Sequence, residues 1–360
     1  FTSSTCKSFA FYYLTLKKPP FYMNKTVTSS LIAAVVVAVV AGLWLLQPSE
    51  PASFSSDGDK LRVVTTFFPL HDFTRQVAGD RVEIVNLFTQ TPEVSSFTPG
   101  DIQTINQADI VIQNGAGLEP VLDELLASSD NQDIIVVDTS QGVSLQEFPE
   151  EEEHEQESHA EHADEAEHAD HSDEHDEHEE EEAGHHHHHH EGVDPHIWLN
   201  PQHAIIQVQN IAAALSELDP EYAATYEANA AAYVAELRQL DADIAERVAT
   251  FSRRDFVAFH PAFGYFTARY NLHLAAVIEA FPGQEPSPQY LAEVIDTIED
   301  LGITALFSEP QFSPRVLESI ANDTGLTVRV LDPIETGDIE HDSYVSLMQQ
   351  NLTALTEALQ

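Results

Sequence analysis

Leu61-Arg62-Val63-Val64-Thr65-Thr66-Phe67 is the stretch that decides the fold. It is a short apolar run rich in β-branched residues, and it reads as a buried strand. Residues 71–78 continue at helical spacing, and Gly79 ends them as a C-terminal glycine should. The same unit recurs downstream. Residues 84–88, 109–113 and 134–138 read as strands, with helices over 101–108 and 118–127. After residue 250 the alternation resumes, with strands over 256–259, 274–279, 305–308 and 327–331 and helices over 262–270, 288–301, 314–324 and 343–359. Strands alternating with helices of about ten residues build a parallel sheet covered on both faces.

Between the two runs, Asn200-Pro201 and Asp219-Pro220 each offer a cap followed by proline at the first helical position. The second opens a run to about residue 250 that is free of Gly and Pro after Pro220. About 30 residues at ~1.5 Å each give a helix of some 45 Å, long enough to act as a strut. The expected fold class is α/β: two lobes, each a mostly parallel sheet flanked by helices, joined by one long α-helix. The expected divisions are an N-terminal extension over 1–60, a first lobe over 61–215, the linking helix over 216–250 and a second lobe over 251–360.

An insert interrupts the first lobe at 150–192. It holds 13 of the 19 histidines, about 20 of the 61 acidic residues, and no Lys or Arg. The histidines are His154, His159, His162, His168, His171, His175, His178 and the block His185, His186, His187, His188, His189 and His190. Such composition bars a packed core, so the sequence predicts a disordered insert, tolerated where two loop ends lie close together. Its imidazoles bind zinc weakly and raise the local concentration of the ion. They must be neutral to do so, and capture weakens below about pH 6.5, or higher where acidic neighbours raise the imidazole pKa. The plainer alternative is a solvated insert without a role.

The chain has 360 residues, 42% of them apolar, which is enough for substantial cores. A net charge of −46 excludes a nucleic-acid surface and favours cations as partners. The single cysteine, Cys6, leaves the folded part with no thiolate metal site and no disulfide. Residues 31–46 form an unbroken apolar run preceded by Lys25 and ended by Gln47-Pro48. That run is a signal-peptide core or a short membrane anchor. No cysteine follows it to carry a lipid, and Met23 is the expected natural start. Both readings place the protein outside the cytoplasm, in the periplasm or on the outer face of the cytoplasmic membrane.

Open parallel sheets bind ligands at the carboxyl ends of their strands. His260 follows the strand Phe256-Val257-Ala258-Phe259 directly, and Pro261 turns the chain there. Asp332 follows Val328-Arg329-Val330-Leu331 and also precedes a proline. His196 lies between the insert and the capped helix. Two imidazoles and a carboxylate on one cleft suit a divalent transition metal, zinc before magnesium or calcium. The competing reading is a satisfied core histidine or a capping Asp. Glu309 sits at a strand end before Pro310 and is placed to orient a ligand histidine from behind. His203, His273 and His341 read as structural or solvent-facing.

Several segments together resemble a known family. They are Val63-Val64-Thr65-Thr66-Phe67-Phe68-Pro69-Leu70, Asn114-Gly115-Ala116-Gly117-Leu118-Glu119, Asp194-Pro195-His196-Ile197-Trp198-Leu199-Asn200-Pro201, Phe259-His260-Pro261-Ala262-Phe263-Gly264-Tyr265 and Phe307-Ser308-Glu309-Pro310-Gln311-Phe312. From about residue 61 onward the chain is similar to the zinc/manganese solute-binding proteins of bacterial ABC importers. The resemblance implies an extracytoplasmic receptor that holds one metal between two lobes. Its partner would be an ABC permease in the cytoplasmic membrane, and it would act as a monomer without catalysis. By position, His196 and His260 match two family ligands and Asp332 the C-terminal carboxylate. A nitrogen ligand at His260 favours Zn(II), since Mn(II)-type members usually place Glu there, and a His-rich loop is a habit of the zinc type.

One departure stands out. The family's first ligand is a His in a segment like Glu-Pro-His-Asp-Tyr, whereas this chain reads Pro92-Glu93-Val94-Ser95-Ser96-Phe97-Thr98-Pro99. Ser95 or Ser96 takes the place of that His, and serine is a poor zinc ligand. His71, just past the first strand, is the expected replacement, with Glu93 the second choice. The rival functions are a manganese receptor of the same family, a zinc-dependent hydrolase, a metal-dependent surface adhesin and a periplasmic zinc buffer.

Overall fold

Val63, Val64 and Thr65 have no exposure to solvent, and they form the inner end of strand β1 (Leu61–Thr65). The computed structural model describes residues 60–148, 192–279, 286–313 and 315–360, all within one compact unit. The apolar run 31–46 and the histidines of the insert lie outside the described residues.

From β1 the chain enters helix α1 (Phe68–Ala78), with Pro69 in its first turn, and returns as β2 (Val82–Asn86). Helix α2 (Pro99–Gln107) starts at a capping box in which Thr98 and Asp101 satisfy each other's backbone N–H groups. Then come β3 (Ile110–Gln113), α3 (Leu122–Ala127) and β4 (Ile135–Asp138). The four strands pair in parallel in the order β2-β1-β3-β4.

Helix α4 (Pro201–Leu218) is capped by the Asn200 side chain, as its Asn-Pro start predicts. Helix α5 (Ala223–Val248) has 26 residues, about 39 Å at ~1.5 Å each. It begins later than the sequence suggests, because Asp219 does not cap it. The Asp219 carboxylate accepts from Arg81 Nε and from the Tyr226 hydroxyl, both at 2.9 Å, and residues 219–222 form a turn. Its buried residues Tyr226, Ala230, Tyr233, Leu237, Leu240, Ile244 and Val248 recur every three or four positions and make one apolar stripe.

The second sheet contains β5 (Asp255–Ala258), β6 (His273–Val277), β7 (Ala305–Ser308) and β8 (Thr327–Val330). Its helices are α6 (Gly264–Tyr270), α7 (Pro288–Leu301), α8 (Arg315–Thr324) and the C-terminal α9 (Tyr344–Leu359). All strands are again parallel, in the order β6-β5-β7-β8. The two sheets therefore share one topology. In each, the chain leaves the first strand to one side and later returns to the other, which creates a switch point where neighbouring loops diverge. In the second sheet that point lies between the ends of β5 and β7, at His260 and Glu309.

One hydrophobic core runs through α1, α4, α5 and α9 and reaches both sheets. Phe67 and Trp198 meet edge to face at 4.7 Å, and the Trp198 indole N–H donates to Pro333 O at 2.7 Å. The Tyr344 hydroxyl donates to Trp198 O at 2.7 Å. Asp72, on α1, accepts from Tyr344 N and from the Tyr233 hydroxyl. The fold is the two-lobed α/β arrangement expected, with helix α5 in the chain between the sheets. No helix among the described residues is long and apolar enough to cross a membrane.

Candidate metal centre

Glu93, His196, His260 and Glu335 converge, and the donor atoms they offer all lie within 4.8 Å of one another. Three of the four follow strands of the parallel sheets, where the topology predicts a ligand. Glu93 lies on the turn Pro92–Val94 after β2, His260 two residues beyond β5, and Glu335 beyond β8. His196 precedes the short 3-10 turn Ile197–Leu199 that leads into α4.

His196 is aimed by Asp194. One carboxylate oxygen accepts from His196 N at 2.9 Å and lies 2.7 Å from Nδ1. Asn114 braces the same loop by donating from Nδ2 to Pro195 O at 2.9 Å. His260 has a matching arrangement: Glu309 Oε1 lies 2.6 Å from its Nδ1 and accepts from its main-chain N–H at 3.2 Å. A carboxylate can only accept, so each neutral ring carries its proton on Nδ1 and turns a bare Nε2 inward. The two Nε2 atoms are 3.3 Å apart. Two lone pairs facing each other at that distance repel unless a cation or a proton stands between them.

The carboxylates complete the ring of donors. Glu335 Oε1 is 3.3 Å from His260 Nε2 and 3.9 Å from His196 Nε2, and Glu93 Oε1 is 3.6 Å from His196 Nε2. Tetrahedral zinc, with bonds of ~2.0–2.1 Å, places its ligands about 3.3–3.4 Å from each other. Two of these separations already match, Glu93 to His196 is long by about 0.2–0.3 Å, and Glu335 to His196 is long by about half an ångström. Glu93 Oε2 is buried without a hydrogen-bond partner among the described residues, and the buried Glu335 carboxylate has no close hydrogen bond beyond the approach of Thr91 and the imidazoles. Buried unpaired carboxylate oxygens are costly and suit a site made for a positive charge.

The electrostatics agree. Burial opposes protonation of His260, but Glu309 and Glu335 outweigh it and hold the imidazole well above its ordinary pKa of 6.5. Burial likewise acts against His196, and Glu93 with Asp194 reverses the direction to upward. Burial pushes the Glu93 carboxyl up. For Glu335 burial also acts upward, but His260 and His196 prevail and hold it below the usual carboxylate range.

Two expected ligands are not in this group. Asp332 is committed to a turn: Ile334 N donates to its Oδ1 at 2.7 Å, and Asn351 grips its main chain at 2.8 and 2.6 Å. Burial pushes its carboxyl up to about 6. Ile334 adopts φ 62°, rare for a β-branched residue, and that bend sends Glu335 into the centre in place of Asp332. His71 lies buried on α1 with its Nδ1 unpartnered. Burial, with a contribution from Arg75, lowers its pKa to about 4. Glu93, the second choice, joins the cluster. Ser95 uses its hydroxyl on Thr91 O at 2.7 Å, and Ser96 is exposed. In the family's Glu-Pro-His the ligand follows a proline, and Pro92-Glu93 keeps that order. His273 and His341 are exposed beside Asp255 and Asp338, while His203 packs edge-on to Tyr265.

Two parallel-sheet lobes with four inward donors between them define a two-lobed cation-binding protein. The chain belongs to the family described as zinc-uptake complex component A, periplasmic, whose model matches residues 63–358. It is 30% identical over 332 residues to the high-affinity zinc uptake system protein ZnuA of Bacillus subtilis (strain 168), covering 89% of this chain and 96% of that protein. It is also 30% identical over 330 residues to the zinc-binding lipoprotein AdcA of Streptococcus pneumoniae (strain ATCC BAA-255 / R6), covering 90% of this chain but only 60% of that longer protein. A crystal structure of a ZnuA superposes with a TM-score of 0.67 at 28% identity, over 84% of this chain and 100% of that one.

Proposed function

We propose that the protein captures Zn(II) outside the cytoplasm and delivers it to an ABC-type permease in the cytoplasmic membrane, with His196, His260, Glu335 and Glu93 as its ligands. The observation that carries this reading is the pair of Nε2 atoms 3.3 Å apart, each ring backed by its own carboxylate. The relatives named for zinc uptake and zinc binding support the choice of cargo. The family is one of uptake components, which sets the hydrolase reading aside. The histidines of 150–192 serve in this reading as a weak capture arm that the tight site does not require.

The Glu93 carboxylate favours one secondary reading. Two imidazoles with two carboxylates form a harder donor set than three imidazoles, so Mn(II) is the competing cargo. Calorimetry with Zn(II) and Mn(II), on the whole protein and on a variant lacking 150–191, tests both points. One tight Zn(II) site is expected in each protein, with the weaker sites confined to the whole chain. Tighter binding of Mn(II) than of Zn(II), or loss of the tight site on deletion, would overturn the respective claim.

A further inference from the structure

On either side of residues 149–191 the chain is held by a short antiparallel ladder. Asp194 N donates to Gln146 O at 2.8 Å, Phe148 N donates to Gly192 O at 3.1 Å, and Glu147 pairs with Val193 between them. In such a ladder Gln146 and Asp194 should exchange two main-chain hydrogen bonds. Only one of them is direct. In place of the second, the Tyr265 hydroxyl accepts from Gln146 N at 2.9 Å and donates to Asp194 O at 2.8 Å. A side chain of the second lobe thereby completes a main-chain ladder of the first.

Asp194 meets α6 in a second way. Its Oδ2 packs so closely on Gly264 that a Cβ there would lie 2.4 Å from it. Gly264 and Tyr265 are the first two residues of α6 and stand four and five positions after His260. The Tyr265 ring is fully buried beside His203, so its hydroxyl has little freedom to seek other partners.

We propose that Tyr265 is a positioning residue for the bound cation: its hydroxyl fixes Asp194, and Asp194 fixes the ring of His196. The imidazole supplied by the first lobe is thus aimed by the lobe that carries His260. This rests on the four-residue centre being the cation site.

The test is a double-mutant cycle in the whole chain with Tyr265→Phe, Asp194→Asn and the pair. Zinc affinity is read by competition with a chelator, and ligand geometry by the visible spectrum of the Co(II)-loaded protein. Loss of an outer partner of a metal-bound histidine typically costs 10–100-fold in affinity. Tyr265→Phe is expected to weaken zinc about tenfold and to shift the Co(II) bands. The double variant is expected to bind no more weakly than Asp194→Asn alone, because the two side chains act in series. If Tyr265→Phe lowers the melting temperature but leaves affinity and spectrum unchanged, its role is structural and the proposal fails. Losses that multiply in the double variant also overturn it. A wild-type protein without a tight zinc site overturns the reading of the centre itself, and this inference with it.

Discussion

His196 and His260 come from different lobes, yet their Nε2 atoms lie 3.3 Å apart and each Nδ1 rests on a carboxylate, Asp194 or Glu309. This relationship makes the pair a preformed half of a tetrahedral site. His196→Ala or His260→Ala should abolish tight zinc binding, and Glu309→Gln should weaken it by ~10–100-fold. Chelator competition measures both, and wild-type affinity in either alanine variant would refute the assignment.

Glu335 and Asp332 separate cleanly by substitution. Glu335→Gln removes a buried charge that faces both imidazoles and should lower zinc affinity more than Asp332→Asn does. Asp332→Asn should act on the turn at Ile334, lowering the melting temperature with a smaller effect on the metal. The reverse order of affinities would restore Asp332 as the ligand.

Glu93→His should tighten Zn(II) relative to Mn(II), since it exchanges a hard donor for an imidazole. Glu93→Ala should weaken both ions. A ratio of the two affinities unmoved by Glu93→His would exclude this side chain from the ligand set.

Zinc must displace protons to bind, and the raised pKa values of His196 and His260 set where that competition starts. Both lie above 6.5 without the metal, so affinity should already decline as pH falls through neutrality. Calorimetry in buffers of different ionisation enthalpy should show protons released on binding at pH 7. Binding without proton release there would contradict the prediction.

His71 gives a separate, metal-independent test. Its pKa falls from 6.5 to about 4 on folding, chiefly through burial. Below pH 6.5 the unfolded chain binds the proton more readily, so stability is lost as pH falls toward 4. The loss reaches roughly 3 kcal/mol at ~1.36 kcal/mol per pKa unit. His71→Gln should flatten that acid limb in denaturant titrations at pH 7 and 4.5 while leaving zinc affinity unchanged. A loss of zinc affinity would return His71 to the ligand set.

The two sheets were legible because buried parallel strands are short apolar runs, and the turns after them carry glycine or proline. His260 was legible for the same reason: it stands just past a strand end, before Pro261. Glu335 was hidden because its direction depends on the Asp332 turn and the left-handed Ile334, neither of which has a periodic signature. Glu93 was legible only as the second choice, because its one signal is its place directly after Pro92 and no local pattern aims its carboxylate. Asp194 stood in plain view in Asp-Pro-His, but its grip on the ring two residues later is a matter of rotamer and turn geometry. Tyr265 acts on a partner 71 residues away in sequence, which no local pattern encodes.

The ladder at Gln146–Phe148 and Gly192–Asp194 also has an evolutionary consequence. With both ends of 149–191 clamped, the segment between them is free to drift in length and wording, since doubling a loop costs only about 0.6 kcal/mol in closure entropy. Past the clamp that freedom stops. One residue inserted between Asp194 and His196 would break the two-residue spacing by which the Asp194 carboxylate reaches both the main-chain N–H and the ring of its histidine. Across related genomes, the tract upstream of the clamp should therefore be a place of rapid expansion and contraction, and the four residues after Gly192 should hold their spacing.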